Sequence, residues 1–288
     1  MSAAETRRMP AGAAGPLPRL GGRLLLSEIG MVMRRRRNQL ILVTFAAIPI
    51  IIGTAVKLAA PSGSDAGALI GNITHNGIFV SFTALVVVIP IFLPMAVAVV
   101  VGETVAGEAN LGTLRYLLVV PVGRTRLLVT KFLAVGFWCL ATALTVAIAG
   151  LAIGFALFPR GKVTLLSGTE TSMVGGLGRL SVVVGYAALM MLAIAAMGLF
   201  ISTLTEVPIA AMAATLAVAI TMQVLVAIPQ LHAVHPWLIS RYLLDFGDVL
   251  RDPLSFAGLT HGCLAALAYV GVFFSLAWAR FTTKDVSS

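Results

Sequence analysis

Between two long apolar runs lies the stretch Gly102–Lys131, GETVAGEANLGTLRYLLVVPVGRTRLLVTK. It contains two of the chain's eleven acids (Glu103, Glu108), a proline at 121 and the basic residues Arg115, Arg124, Arg126 and Lys131. The rest of the chain explains why such a polar insert is unusual here. Of 288 residues, 59% are hydrophobic and only 11% charged. A soluble domain carries about a quarter charged residues. A helix crossing about 30 Å of hydrocarbon at 1.5 Å per residue needs about 20 apolar residues. Six segments qualify: 39–59, 78–101, 127–158, 180–203, 207–228 and 258–279. The expected fold is an all-α polytopic membrane protein, with the third span over-long and the second kinked at Pro90 and Pro94.

Charge placement sets the orientation. Eight of the 20 basic residues precede the first span, and Arg34–Arg37 abut it directly. With the N-terminus inside, fourteen Lys and Arg fall on the cytoplasmic side and six outside, which is the positive-inside bias. Both termini and the 102–131 stretch are then cytoplasmic, in the inner (plasma) membrane. The net charge of +9 is assigned to anionic lipid headgroups and not to nucleic acid, since no basic groove with interleaved aromatics or zinc spacing accompanies it. Residues 1–20 read as a disordered cytoplasmic tail, and no cleavable leader is expected from it. Residues 21–288 read as one six-helix transmembrane domain. In RLLLSEIGMVM, Leu25, Ile29 and Val32 recur at helical spacing, with Arg23, Glu28 and the arginines as the polar part. This predicts a helix lying in the inner interface.

Reactive chemistry is sparse. No span carries an ionisable residue near its centre, and Lys57, Glu103, Lys131 and His261 sit close to boundaries where they can snorkel or meet water. A proton-coupled carrier is therefore disfavoured. His232 and His235 lack a third ligand and read as solvated loop residues. The neighbouring PWLISRYLLDF, with Arg241, Asp245, Asp248, Arg251 and Asp252, reads as a short outer helix with compensated charges. Cys139 and Cys263 lie inside apolar runs and read as packing residues. GFALFPRGKVT has six residues between its glycines and Val163 after Lys162, so it is not a phosphate loop. No catalytic residue, metal or cofactor is assigned. Gly-x-x-x-Gly pairs at 150/154 and 258/262 permit close helix approach.

Within the opening stretch, Leu111, Leu114 and Leu118 form one helical stripe, and Glu108, Gly112 and Arg115 form another about 60° away. Gly107 and Gly112 leave room for a partner, and Pro121 ends the helix. The pattern Glu108, Gly112, Thr113, Leu117, Leu118, Pro121, Arg124, Lys131 resembles the signature of permease subunits of type 2, exporter-like ABC transporters. The terminal Phe281 and Asp285 and the six-span plan resemble that class too.

The resemblance implies a cytoplasmic coupling helix between spans two and three that docks on a separate ATPase subunit. Glu108, Gly112, Thr113, Leu114 and Leu117 would then be contact residues, while Pro121, Arg124 and Lys131 would set the angle and depth of the following span. It also implies ABC ATPase subunits that hold ATP and magnesium, and a second or homologous permease. The expected activity is ATP-driven export, as in multidrug efflux, by a non-enzymatic subunit. The uniformly apolar spans favour a hydrophobic or amphiphilic substrate such as a drug, antibiotic or lipid. The rivals are a stand-alone secondary carrier and a non-transporting membrane assembly or enzyme component.

Overall fold

The computed structural model describes residues 21–59, 73–74, 76–110, 123–159, 161, 163–164, 167–252 and 256–283. Gly112, Thr113, Leu114, Leu117 and Pro121 fall outside them, as do the tail 1–20 and Asp285. Among the described residues the α-helices are α1 (Gly21–Arg34), α2 (Arg36–Ala59), α3 (Ile78–Val88), α4 (Phe92–Thr104), α5 (Ala106–Asn110), α6 (Arg124–Leu157), α7 (Met173–Leu204), α8 (Pro208–Val226) and α9 (Ala257–Thr283). Five of them, α2, α6, α7, α8 and α9, are long and apolar enough to span a membrane. Counted as one span, the pair α3–α4, bent by 59°, brings the number to six.

The bend has a local cause. Pro90 has no N–H to give, and its ring collides with the carbonyl four residues earlier, so the helix stops after Val88. Pro94 does not kink the chain as expected. It is the third residue of α4, where the N–H would have no acceptor within the helix. The 34 residues of α6 give a rod of about 51 Å at 1.5 Å per residue, well beyond one hydrocarbon thickness.

Helix α7 is the axis of the bundle. It packs against α9, α6, α4 and α8, and most of its surface is buried, whereas α2, α8 and α9 leave large apolar faces outside. Its N-terminus is set by Ser172, whose Oγ accepts from the Gly175 N–H at 3.1 Å. Pro208, the first residue of α8, is already fixed near the helical φ.

The small-residue pairs are used within this chain. Ser81 of α3 lies against Gly150 and donates to the Ala147 carbonyl at 3.0 Å, while Gly154 meets Gly77. Gly262 of α9 lies against the Tyr186 hydroxyl, which donates to the Tyr242 carbonyl at 2.6 Å. Replacing Gly262 by valine should therefore lower thermal stability by about 1–3 kcal/mol or more through overpacking. Alanine at Gly271, which has nothing within 4 Å of an added Cβ, should cost nothing measurable. Melting both variants in detergent separates these outcomes.

The far end of the bundle carries a two-residue antiparallel pair, Val163–Thr164 with Glu170–Thr171, turned through Gly168 at φ 82°. Residues 229–250 form 3-10 turns instead of the short helix expected over 236–246; within that stretch Leu238 takes an extended backbone, ψ 119°, and interrupts any continuous ladder. Ile239, Leu243, Phe246, Val249 and Leu250 anchor the turns in the core. Arg179 binds the Val249 and Arg251 carbonyls, and Arg241 pairs with Asp245 at 3.2 Å. Arg179 stands in the second turn of α7.

Candidate functional site

A second group of charged side chains gathers at the other end, where α1, α2, α4, α5 and α6 meet. Helix α6 turns Leu127, Leu128, Lys131, Ala134, Val135, Trp138 and Cys139 inward, a stripe of three- and four-residue steps. Lys131 belongs to that stripe and is only 4% exposed. It does not snorkel to headgroups as expected, because its position on the helix points it into the protein. Its Nζ lies 3.4 Å from both carboxylate oxygens of Glu28 and bonds Glu108 Oε1.

Glu28 is likewise not on a water-facing side. It falls between Leu24, Leu25 and Val32 on the inner side of α1 and is 8% exposed. One lysine thus joins three separate helices: α1 through Glu28, α5 through Glu108, and its own α6. Lys131 and Glu28 are buried and Glu108 is half-buried, so the two carboxylates draw much of their compensation from this ammonium.

A second, more exposed cluster adjoins the first. Arg37 grips Glu103 with both arms of its guanidinium, Nη1 to Oε1 at 2.6 Å and Nη2 to Oε2 at 3.0 Å, and Arg35 also bonds Glu103. Asn38 is 1% exposed; its Nδ2 donates to the Val32 carbonyl at 2.7 Å, filling an acceptor at the end of α1. Between the clusters lies a cavity of about 280 Å³, lined by Met31, Val32, Val100 and Val135 together with the polar groups. Arg124 donates to the Thr282 carbonyl at 2.8 Å, and Trp278 Nε1 donates to Thr125 Oγ1 at 2.8 Å. The start of α6 is thereby held to the end of α9.

Of the residues expected to matter, the structure places Glu108 and Lys131 together and puts Arg124 on a helix end. Glu28, Glu103 with Arg35 and Arg37, and Asn38 were not singled out as site residues from the sequence. Glu28 carried a readable signal, an acid within an apolar helical stripe. Glu103 had none, since pairing over 66 residues is a property of the tertiary fold. At the far end His232 is exposed and the His235 ring meets the Leu225 carbonyl at 3.1 Å.

Burial raises the Glu108 carboxyl above its ordinary value of 4.5; Lys131 pulls the other way but does not cancel it. The folded chain therefore binds this proton at higher pH than the unfolded chain does. Above the raised value the ionised carboxylate weighs against folding, and the penalty is relieved as pH falls towards 4.5. Thermal melts of the wild type and Glu108→Gln across that window should show the wild type gaining stability relative to the variant as pH drops. A constant difference would remove burial as the dominant influence on this group.

Comparison with curated proteins finds no match to the chain. A family model described as ABC-2 family transporter protein matches residues 32–223, from the end of α1 through most of α8. That span takes in five of the six spans, the α4–α5 joint and Lys131 on α6, and the helices it covers form the bundle described above. The chain is a multi-pass membrane protein and belongs to the ABC-2 family of transporter proteins.

Proposed function

We propose that this chain is the permease subunit of an ATP-driven exporter. It forms the translocation path with a second copy or a homologous permease and is moved by separate ATPase subunits that hold ATP and magnesium. The contact with the ATPase is the connection from Glu108 to Arg124, with Glu108, Gly112, Thr113, Leu114, Leu117, Pro121 and Arg124 as its residues. Both termini and this connection face the cytoplasm from the cell membrane. Apolar spans suit a hydrophobic or amphiphilic cargo such as a drug, antibiotic or lipid.

One observation supports the reading most: Lys131 ties the root of that connection, α5, to both α1 and α6 in a buried cluster. A displacement of the connection is thereby passed to spanning helices instead of being absorbed by a loose loop. The experiment is reconstitution in vesicles with an ATPase that co-purifies with the chain, following an NBD-labelled phospholipid and a rhodamine dye. ATP-dependent movement of either probe that needs both polypeptides supports the reading. Failure of every ATPase encoded beside the chain to bind would end it.

The same buried cluster favours a second reading, a stand-alone carrier driven by a proton gradient. That carrier would stop when the gradient is collapsed while ATP is maintained, and the exporter would not.

A further inference from the structure

Helix α4 stops at Thr104 and α5 restarts at Ala106 with a single residue, Val105, between them. No proline stands at this break. In an unbroken helix the Ala106 N–H would bond the Gly102 carbonyl. Here a side chain from another helix stands between them. Ser202, fully buried on the central helix α7, accepts from Ala106 N–H at 3.0 Å and from Val105 N–H at 3.3 Å, and donates to the Gly102 carbonyl at 3.2 Å. A hydroxyl has one proton to give and two lone pairs. All three are committed to this one joint.

A side chain inserted into the ladder is one of the recognised causes of a sharp helix bend. The surroundings hold the hydroxyl in place. One turn earlier on α7, an added Cβ at Gly198 would overlap Thr215 of α8 and Val101 of α4, and one at Gly102 would overlap Met212 of α8. Three helices therefore meet at small residues around the break, and Ser202 cannot withdraw without opening that contact.

We infer that Ser202 is a positioning residue for coupling: it creates the break between α4 and α5 and pins that joint to α7, so that movement of the ATPase-facing connection reaches the axis of the bundle. The inference rests on the proposed coupling role of that connection, and it deepens it by naming the helix to which the motion is delivered. The Lys131 cluster secures the body of α5 to α1 and α6, whereas Ser202 secures its start to α7. Without the hydroxyl, Gly102 and Ala106 are free to close the ordinary bond, and α4 and α5 become one continuous rod.

Two measurements test this on the full chain assembled with its ATPase in vesicles. The first is the distance between spin labels on Phe92→Cys and Asn110→Cys, in a background with Cys139→Ala and Cys263→Ala. A continuous helix over these 18 intervening steps would separate the backbones by about 27 Å. Ser202→Ala should lengthen the distance towards that limit, and Ser202→Thr, which keeps the hydroxyl, should not. The second is permease-dependent stimulation of ATP hydrolysis, which should fall about tenfold in Ser202→Ala, as expected for loss of buried hydrogen bonds, and recover in Ser202→Thr.

An unchanged distance in Ser202→Ala overturns the assignment of the break to Ser202. A lengthened distance with full stimulation overturns its role in coupling. Absence of stimulation by the wild type instead defeats the exporter reading itself, and the distance measurement still decides whether Ser202 makes the joint.

Discussion

Lys131→Met should lower the stability of the folded chain by about 3–5 kcal/mol, the cost of removing one partner from a buried ion pair. The lysine is deeply enclosed and faces two carboxylates, so its loss leaves Glu28 and Glu108 without the ammonium they share. Methionine fills nearly the same space, which confines the change to charge. The experiment is thermal melting in detergent, read by tryptophan fluorescence. A triple variant, Lys131→Met with Glu28→Gln and Glu108→Gln, should recover most of the loss, because no charge is then left buried. If Lys131→Met melts within about 1 kcal/mol of wild type, the cluster is better hydrated than its burial indicates and is not a structural tie.

The spans were readable because a lipid environment imposes a simple length rule on apolar segments, and six such runs stand clear of the polar connections. Pro90 announced its bend by the same elementary chemistry. Pro94 is not legible in the same way, because a proline's effect depends on how far it is from a helix start, and that start is created by Pro90. Lys131 is a related case. Distance from the end of an apolar run says how close a charge is to the boundary, but not whether it faces lipid or protein. The missing information was in the helical phase: Leu127, Leu128, Ala134, Val135 and Trp138 share the face of Lys131.

Other parts of the site were beyond the reach of local pattern. Ser202 is one hydroxyl among many in apolar helices, and most of those bond a carbonyl of their own helix, as Thr142, Thr145 and Thr215 do. Only the approach of α4 to within hydrogen-bonding distance distinguishes it. The small-residue pairs gave the opposite lesson: spacing disclosed that a close approach exists, while the partner, Tyr186 for Gly262 and Ser81 for Gly150, comes from the fold. The apolar stripe Leu111, Leu114 and Leu118 lies outside the described residues.

Glu108→Lys should abolish permease-dependent stimulation of ATP hydrolysis and ATP-driven transport, reducing both to background. The substitution turns the anion nearest Lys131 into a second cation. Two ammonium groups about 4 Å apart repel by about 4 kcal/mol at the effective dielectric near a protein surface, and Glu28 alone remains to offset them. Helix α5 has only five residues, and one such penalty is enough to displace it from α6. The bundle core is expected to survive, because Trp138, Met190 and Leu93 pack away from the exchanged charge. Adding Lys131→Glu restores the composition of two acids and one cation, now with the cation on α5, and should return part of the stimulation. Membrane abundance and ATPase co-purification measured on the same variants separate loss of docking from loss of transmission. Full stimulation in Glu108→Lys would remove α5 from the coupling route, whatever the nature of the cargo.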